Sequence, residues 1–460
     1  MTDSILIVGG GVAGLTAAIA CAEAGVRAIV VEHDAIVGGR LAAAMTQKSS
    51  VGDSIDGVPI PKLDALAKMS NIEIFTLANL EEIQGGPGNF DISIRERARF
   101  VTEDCTLCNH CRPVCPVVRS NEHDAGLSYR KAIYAPFPET MPPEFVIDID
   151  ACLNTPPNYL PCNRCTEVCD DDAIHFDVPL ERLHQRKVGA VVLAAGFETA
   201  TDSGASHRGY GEYPDVVTTA EMERLLTAPG PTGGFAARPS DEEYANSILF
   251  ILDELTPFAV HIVASQIGRL IAQDVTKIAL LVTNQPGNGE QGSLLQGFPE
   301  GLTVNYGLLQ KVEARADNKI TVTYADFSSS RIPEEQYDLV VLNSIVSPAS
   351  GLDGLAQVIG CELADNGYVS RPDSDNSCAT SRPGIYAAGG AAGATILGTA
   401  VAEAEVAASA ALAHLDPRLL GDGHAAAGDS EAGLEAAVAS QEELRARIER
   451  ALFAMLESGE

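Results

Sequence analysis

The sequence predicts an α/β protein of two doubly wound units, with a small cysteine-rich domain set into the first and a helix closing the C-terminus. Three features predict it. The opening "SILIVGGGVAGLTAAIACAEAGVRAIVVE" reads as strand, glycine turn, helix and strand; a second strand–helix–strand run lies between 247 and 284; and eight of the eleven cysteines crowd between 105 and 169. Apolar runs bounded by glycine mark the strands, and the Ala-rich stretch after the first glycines marks a helix.

Each element carries chemistry. Gly9, Gly11 and Gly14 form G-x-G-x-x-G. The first glycine permits the tight turn, the second lets backbone approach a pyrophosphate, and the third lets helix and strand pack closely. Glu32, at the end of the second strand, stands where a carboxylate accepts hydrogen bonds from an adenosine ribose and repels a 2′-phosphate. Three later segments favour FAD over NAD: "VGGRLA" (37–42) with Gly39 and Arg40, "VGAVVLAAGFET" (188–199) with Ala195 and Gly196, and "GIYAAGG" with Gly389 and Gly390 before an Ala-rich helix. A helix entered that way points its N-terminus at the flavin edge that becomes negative on reduction. Arg40 either brings positive charge to the flavin or its phosphates or is an ordinary surface arginine. This pattern resembles the two Rossmann-like dinucleotide-binding domains of the thioredoxin reductase and glutathione reductase class. That class carries an acid just after its last strand, where this chain has Gly390.

The second unit reads as "SILFILD" (247–253), a helix around 257–273, "KIALLVTN" (277–284), a hairpin turning at Asp317-Asn318, and a strand in "YDLVVLNSIV". After Asp253 comes "ELTPFAV", without a glycine turn, so this NAD(P)H-domain-like fold is expected to bind no nicotinamide nucleotide tightly. No C-x-x-C redox pair accompanies it either.

Cys105, Cys108, Cys111 and Cys115 make C-x2-C-x2-C-x3-C-P, the bacterial ferredoxin run, in which the fourth cysteine ligates the other cluster of a pair. A zinc knuckle is the alternative, although zinc sites favour C-x2-C pairs separated by a longer loop. Cys152, Cys162, Cys165 and Cys169 repeat the pattern with "LNTPPNYLP" stretching the first gap and Asp170 in the usual place of proline. Crossed ligation assigns Cys105, Cys108, Cys111 and Cys169 to one [4Fe–4S] cube and Cys152, Cys162, Cys165 and Cys115 to another; a degenerate second site is the alternative, so one or two clusters are expected. His110 and His175 read as solvated or packed, and Cys21, Cys361 and Cys378 as buried thiols.

Sixty-three acids against 31 Lys and Arg give a net charge of −32. That charge argues against nucleic acid as a partner. No apolar run reaches the roughly 18 residues of a membrane span. The N-terminus lacks the charged region of a signal peptide, and the expected location is cytoplasmic.

Flavin pieces and inserted cysteines together resemble the A-type component of heterodisulfide reductase and its relatives in sulfur-oxidising bacteria. "ILIVGGGVAGLTAAIACAEAG", "VGGRLA", "DCTLCNHCRPVCPV" and "RKAIYAPFPETMPPEFVIDIDAC" carry the resemblance, over about residues 1–412. The chain begins directly at the FAD fold, without the N-terminal cysteine-containing domain of the methanogen proteins, so it is similar to the short form of the sulfur-oxidising heterodisulfide-reductase-like complex, and bifurcation is not expected. The resemblance implies FAD, partners resembling the B and C components of heterodisulfide reductase, and no catalytic residue on this chain. A homodimer is also expected. The function implied is an electron-transfer component working between flavin and clusters in sulfur or disulfide metabolism. Two alternatives are a self-contained NAD(P)H-dependent flavoenzyme resembling the small subunit of glutamate synthase, and a structural FAD-binding protein. The expected domains are 1–100, 179–245 and 346–412 for FAD (179–245 including a linker), 101–178 for the ferredoxin-like insertion, 246–345 for the NAD(P)H-like fold, and 413–460 for a linker and helix with Leu444, Ile448, Leu452 and Leu456.

Overall fold

The computed structural model describes residues 4–40, 54–55, 58–59, 66, 68–138, 140–200, 205–253, 255–284, 298–299, 302–315, 317–372, 378–416 and 418. Leu41 and Ala42 of the second FAD segment and the C-terminal helix expected after 413 lie outside those residues, apart from the first few positions.

The chain opens with β1 (Ser4–Val8), α1 (Val12–Glu23), β2 (Arg27–Val31) and β3 (Ile72–Phe75), then an antiparallel pair, β4 (Ala78–Gly86) and β5 (Asn89–Arg97). After the cysteine-rich segment come β6 (Glu181–Val188) and β7 (Ala190–Leu193). β6 pairs antiparallel with β5 from Phe90↔Val188 to Arg97↔Glu181, and the Ala98 amide donates to the Leu180 carbonyl at 2.8 Å. The segment between them therefore leaves and re-enters the sheet through neighbouring strand ends. Its own ends stay together, through the bridge Val101↔Ile174 and the bond from Thr102 N to Ala173 O at 2.9 Å.

A second unit follows in chain order: β8 (Val216–Thr218), α2 (Thr219–Leu225), β9 (Ser247–Leu252), α3 (Pro257–Ile271), β10 (Lys277–Val282), β11 (Thr303–Ala314), β12 (Ile320–Asp326), β13 (Glu334–Tyr337) and β14 (Leu339–Leu342). The sheet order is β8-β14-β9-β10-β11-β12-β13, parallel as far as β11 and antiparallel beyond it. Asn318, at φ 57°, makes the β11–β12 turn. One boundary differs from the sequence expectation: β8 is the edge strand of this sheet and Ala205 packs in its core, so the unit takes in chain well before residue 246. A three-residue strand gives no readable alternation, and its neighbour α2 is announced only by the capping box of Thr218 and Glu221.

Helix α4 (Leu352–Ile359), β15 (Ile385–Ala387) and α5 (Leu397–Leu415) return to the first unit and complete a parallel sheet of order β15-β7-β1-β2-β3. Alternation along β1 sends Ile5 and Ile7 to one face, Leu6 and Val8 to the other. The first face packs on α1 and α5 through Ala13, Ala17, Ala18, Ala404, Ala407, Ala408 and Ala411, small side chains that let two helices lie close over the sheet. The second packs on the β4–β6 layer through Leu80, Phe90, Ile92 and Ile94.

A charged contact joins the insertion to the second unit. Arg224 of α2 donates from Nε (3.1 Å) and Nη2 (2.9 Å) to Oδ1 of Asp124, and both residues are more than nine-tenths buried. Removing one partner of a buried pair strands the other charge. Arg224→Ala is therefore expected to lower the unfolding free energy by about 3–5 kcal/mol in urea denaturation. Adding Asp124→Ala should restore part of that loss, whereas additive losses would show the two side chains to be independent.

Candidate functional site

The glycine turn after β1 is built by close approach. A Cβ on Gly9, whose φ is +105°, would overlap the Ala194 carbonyl, and one on Gly14 would overlap the Gly9 carbonyl. A Cβ on Gly11 meets nothing within 4 Å. Backbone thus fills the space around the first and third glycines, and the second faces an opening. Helix α1 begins at that opening with no side-chain cap and no acid in its first turn. Its first amides are left to an incoming acceptor, and the helix dipole favours an anion there.

Glu32 closes the far side of the turn. Its carboxylate accepts from the Gly10 amide (2.6 Å) and the Asp34 amide (2.8 Å), and burial pushes its pKa up against the pull of those bonds. The other predicted segments arrive at the same place. Gly39, at φ +53°, would bring a Cβ to 3.0 Å from the Gly11 Cα; one on Gly389 would stand 2.9 Å from the Ala13 Cβ; one on Gly390 would press on Phe197 and the Gly196 backbone. Gly196 itself, at φ +74°, faces open space. Ala195 is half-buried between these elements, and the Arg40 guanidinium lies 4.9 Å over the Phe197 ring, 3.3 Å from Thr199 Oγ1. Open space at Gly11 and Gly196, uncapped amides and a carboxylate after β2 are features that fit a dinucleotide such as FAD.

Two details differ from the sequence picture or were missed by it. The Ala-rich helix does not start directly at Gly390: a 3-10 turn covers Gly389–Ala391 and α5 begins at Leu397. The second is Glu403 of α5, which accepts from the Gly389 amide at 2.8 Å and holds Arg371 through two bonds of 3.0 Å. Nothing in "AEAEVAA" distinguishes Glu403 from its neighbours; only the sheet brings it to the turn. Phe197 was likewise unmarked, and it stacks edge-on with Phe258, in the first turn of α3, at 5.1 Å.

In the second unit, the position of a nucleotide-binding glycine turn is occupied otherwise. Thr256 caps α3 by accepting from the Ala259 amide at 3.1 Å, Pro257 takes the first helical position, and Asp253 is bound by Arg208 and by Thr283 Oγ1.

The eight clustered cysteines gather around two cavities. One is lined by Cys115, Cys152, Cys162 and Cys165, the other by Cys105, Cys108, Cys111 and Cys169. Cys115 and Cys169 have thus exchanged sides. Ile133 lines both cavities, and its strand partner Ile147 lines the first. Among the described residues no three His, Cys, Asp or Glu side chains converge closely enough to share one metal ion. Four thiols around a largely apolar chamber are the donor set that a [4Fe–4S] cube would take at its corners. Burial pushes the Cys111 thiol up to about 12 and Cys165 to about 11. His110 lines the second cavity but lies exposed, 3.5 Å from Asp170. The stretched gap is absorbed outside the first cavity. Buried Thr155 donates to the Ile149 and Cys152 carbonyls, Asn158 Nδ2 donates to Cys152 O, and the Leu160 amide closes on Leu153 O. Cys21, Cys361 and Cys378 are buried away from both chambers.

Residues 4–54 match the family of FAD-dependent oxidoreductases. The chain is 31% identical over 426 residues to the iron–sulfur A-type component of the CoB–CoM heterodisulfide reductase of Methanocaldococcus jannaschii, covering 88% of this chain and 63% of that protein. It is 31% identical over 435 residues to the corresponding A-type component of the H2:CoB–CoM heterodisulfide, ferredoxin reductase of Methanothermobacter marburgensis, covering 89% of this chain and 63% of that one. The chain therefore spans less than two thirds of the length of these relatives. Among solved structures, Lactococcus lactis thioredoxin reductase is similar at 13% identity and a TM-score of 0.47, covering 90% of this chain and 99% of that one. No helix among the described residues is long and apolar enough to cross a membrane.

The glycine turn makes two opposite expectations. Gly11→Ala should change the stability of the flavin-free protein by less than about 1 kcal/mol, while weakening FAD binding at least about tenfold in a flavin-fluorescence titration, since the methyl fills the opening where the pyrophosphate would lie. Gly14→Ala should instead reduce soluble yield, because its methyl meets backbone. Equal FAD affinity in Gly11→Ala and the native protein would contradict this geometry.

Proposed function

From the premise that this chain belongs with the A-type components of heterodisulfide reductase, we propose that it is an FAD- and iron–sulfur-containing electron-transfer component, passing electrons between flavin and two clusters and on to partner proteins. FAD when bound exchanges electron pairs for single electrons, and cubane clusters carry single electrons. The protein's share is positional. Gly9, Gly14, Gly39, Gly389 and Gly390 let the cradle's own segments close up, Gly11 and Gly196 leave the opening that admits the dinucleotide, Glu32 holds its ribose, Ala195 lines its path and Arg40 stands over Phe197 beside it. Cys105, Cys108, Cys111 and Cys169 hold one cluster, and Cys115, Cys152, Cys162 and Cys165 the other. Ile133, which lines both chambers, stands between them.

The observation that carries this reading is the pair of four-cysteine chambers in a segment tied at both ends to the antiparallel β4–β6 layer, which packs on the flavin-type sheet. By kinship with the A-type components, the partners resemble the B and C components of heterodisulfide reductase, and the chemistry served is disulfide or sulfur metabolism. By the same kinship, substrate conversion belongs to those partners. A second reading, an enzyme fed by NADH or NADPH, is disfavoured by Thr256 and Pro257 standing where that nucleotide's glycine turn would be.

Two measurements test the proposal. Anaerobically reconstituted protein should contain about eight irons, and Cys115→Ala about four, with the remaining EPR signal unchanged in Cys152→Ala but replaced by that of the other cluster in Cys169→Ala. If Cys115→Ala and Cys105→Ala instead lose the same signal, the exchange of Cys115 is wrong. NADH or NADPH alone should leave the flavin absorbance of the anaerobic protein essentially unbleached on the mixing timescale, and rapid bleaching would favour the self-contained enzyme.

A further inference from the structure

An open groove runs over the outside of the insertion, lined in part by Asn109, Arg112, Val118, Tyr129, Arg130 and Lys131. It abuts both chambers. Asn109 and Arg112 flank Cys111 of one, while Val118 and Lys131 are chain neighbours of Val117 and Ala132, which line the other. Among the described residues no carboxylate lines it. Arg130 is neutralised by Glu122 and Asp148, but no acidic side chain pairs with Arg112 or Lys131 among the described residues. Between these cations Tyr129 is 75% exposed and Val118 59% exposed.

The rest of the molecule gives this groove its meaning. A chain of net charge −32 repels an acidic partner over most of its surface, so a cationic groove without acids is the place where such a partner's approach is favoured and oriented. Exposed aromatic and aliphatic side chains between the cations supply the apolar centre that a contact needs for lifetime, as the charges supply its speed.

We propose that this groove is the docking site of a small acidic electron-transfer protein, whose carboxylates meet Arg112 and Lys131 while an apolar side chain covers Tyr129 and Val118. The assignment rests on the relay reading above and adds where electrons cross to the partner: beside Cys111, one residue from the wall of each chamber.

The test titrates full-length protein, loaded anaerobically with flavin and clusters, with an acidic two-cluster bacterial ferredoxin and in parallel with basic cytochrome c, by calorimetry at low and high salt. Ferredoxin should bind at low salt and be released by high salt. Its Kd should rise about tenfold or more in Arg112→Glu/Lys131→Glu, and likewise in Tyr129→Ala/Lys131→Glu, which leaves the neighbour of Cys111 intact. Cytochrome c should bind both variants as it binds the native protein. Ferredoxin that does not bind, or that binds the variants unchanged, overturns the proposal. So does loss of self-association in the variants by analytical ultracentrifugation, which would give the groove to a second copy. Iron content of the same samples judges the relay separately: iron-free protein with charge-dependent ferredoxin binding removes the relay and keeps the groove, and iron-loaded protein without such binding does the reverse.

Discussion

The antiparallel pairing of β5 with β6 is the constraint on which the rest of the molecule depends. Eight residue pairs, from Phe90↔Val188 to Arg97↔Glu181, hold the two ends of the cysteine-rich segment side by side, and the bond from Ala98 to Leu180 continues the closure. An insertion attached by one end swings on its linker; one attached through adjacent strands is fixed in position and direction. The same sheet forms the second face of the flavin-type core, through Phe90, Ile92 and Ile94 against Leu6 and Val8. The cysteine-rich segment and the strand that carries the glycine turn are thus anchored on opposite sides of one packed layer.

Much of this was legible in the sequence where chemistry forces a spacing. Gly9 and Gly14 are legible because backbone must touch backbone there, and no other side chain is small enough. The cysteine runs are legible because thiolates around a cluster need short, fixed separations. Apolar runs at β1 and β9 gave the two parallel sheets, since each strand is covered on both sides. What escaped was set by tertiary contact alone. Glu403 is one acid in an Ala-rich helix until Gly389 donates to it, Phe197 is one aromatic after a glycine until Arg40 lies on it, and β8 is three residues long. None of the three carries a periodic or motif signal for a single sequence to show.

The second unit makes contacts on two sides. Thr256 caps α3, Pro257 takes its first position, and Arg208 binds Asp253 just after β9. Arg224 grips Asp124 of the insertion and lies 5.3 Å over Phe137, and Phe258 meets Phe197 at the glycine cradle. The unit touches the insertion on one side and the cradle on the other, which makes it a brace between them.

The loop after Cys152 shows what kind of change such a chamber tolerates. Ile133 lines both chambers. Of the extra residues in the ligand run only Leu153 lines a chamber, and Thr155, Asn158 and Leu160 tie the rest back to the backbone at their base. Length in this segment is free on the solvent side and rationed on the inside: the spacing that matters for a buried ligand is measured through space from its anchor, and a long interval in the sequence is compatible with an unaltered chamber.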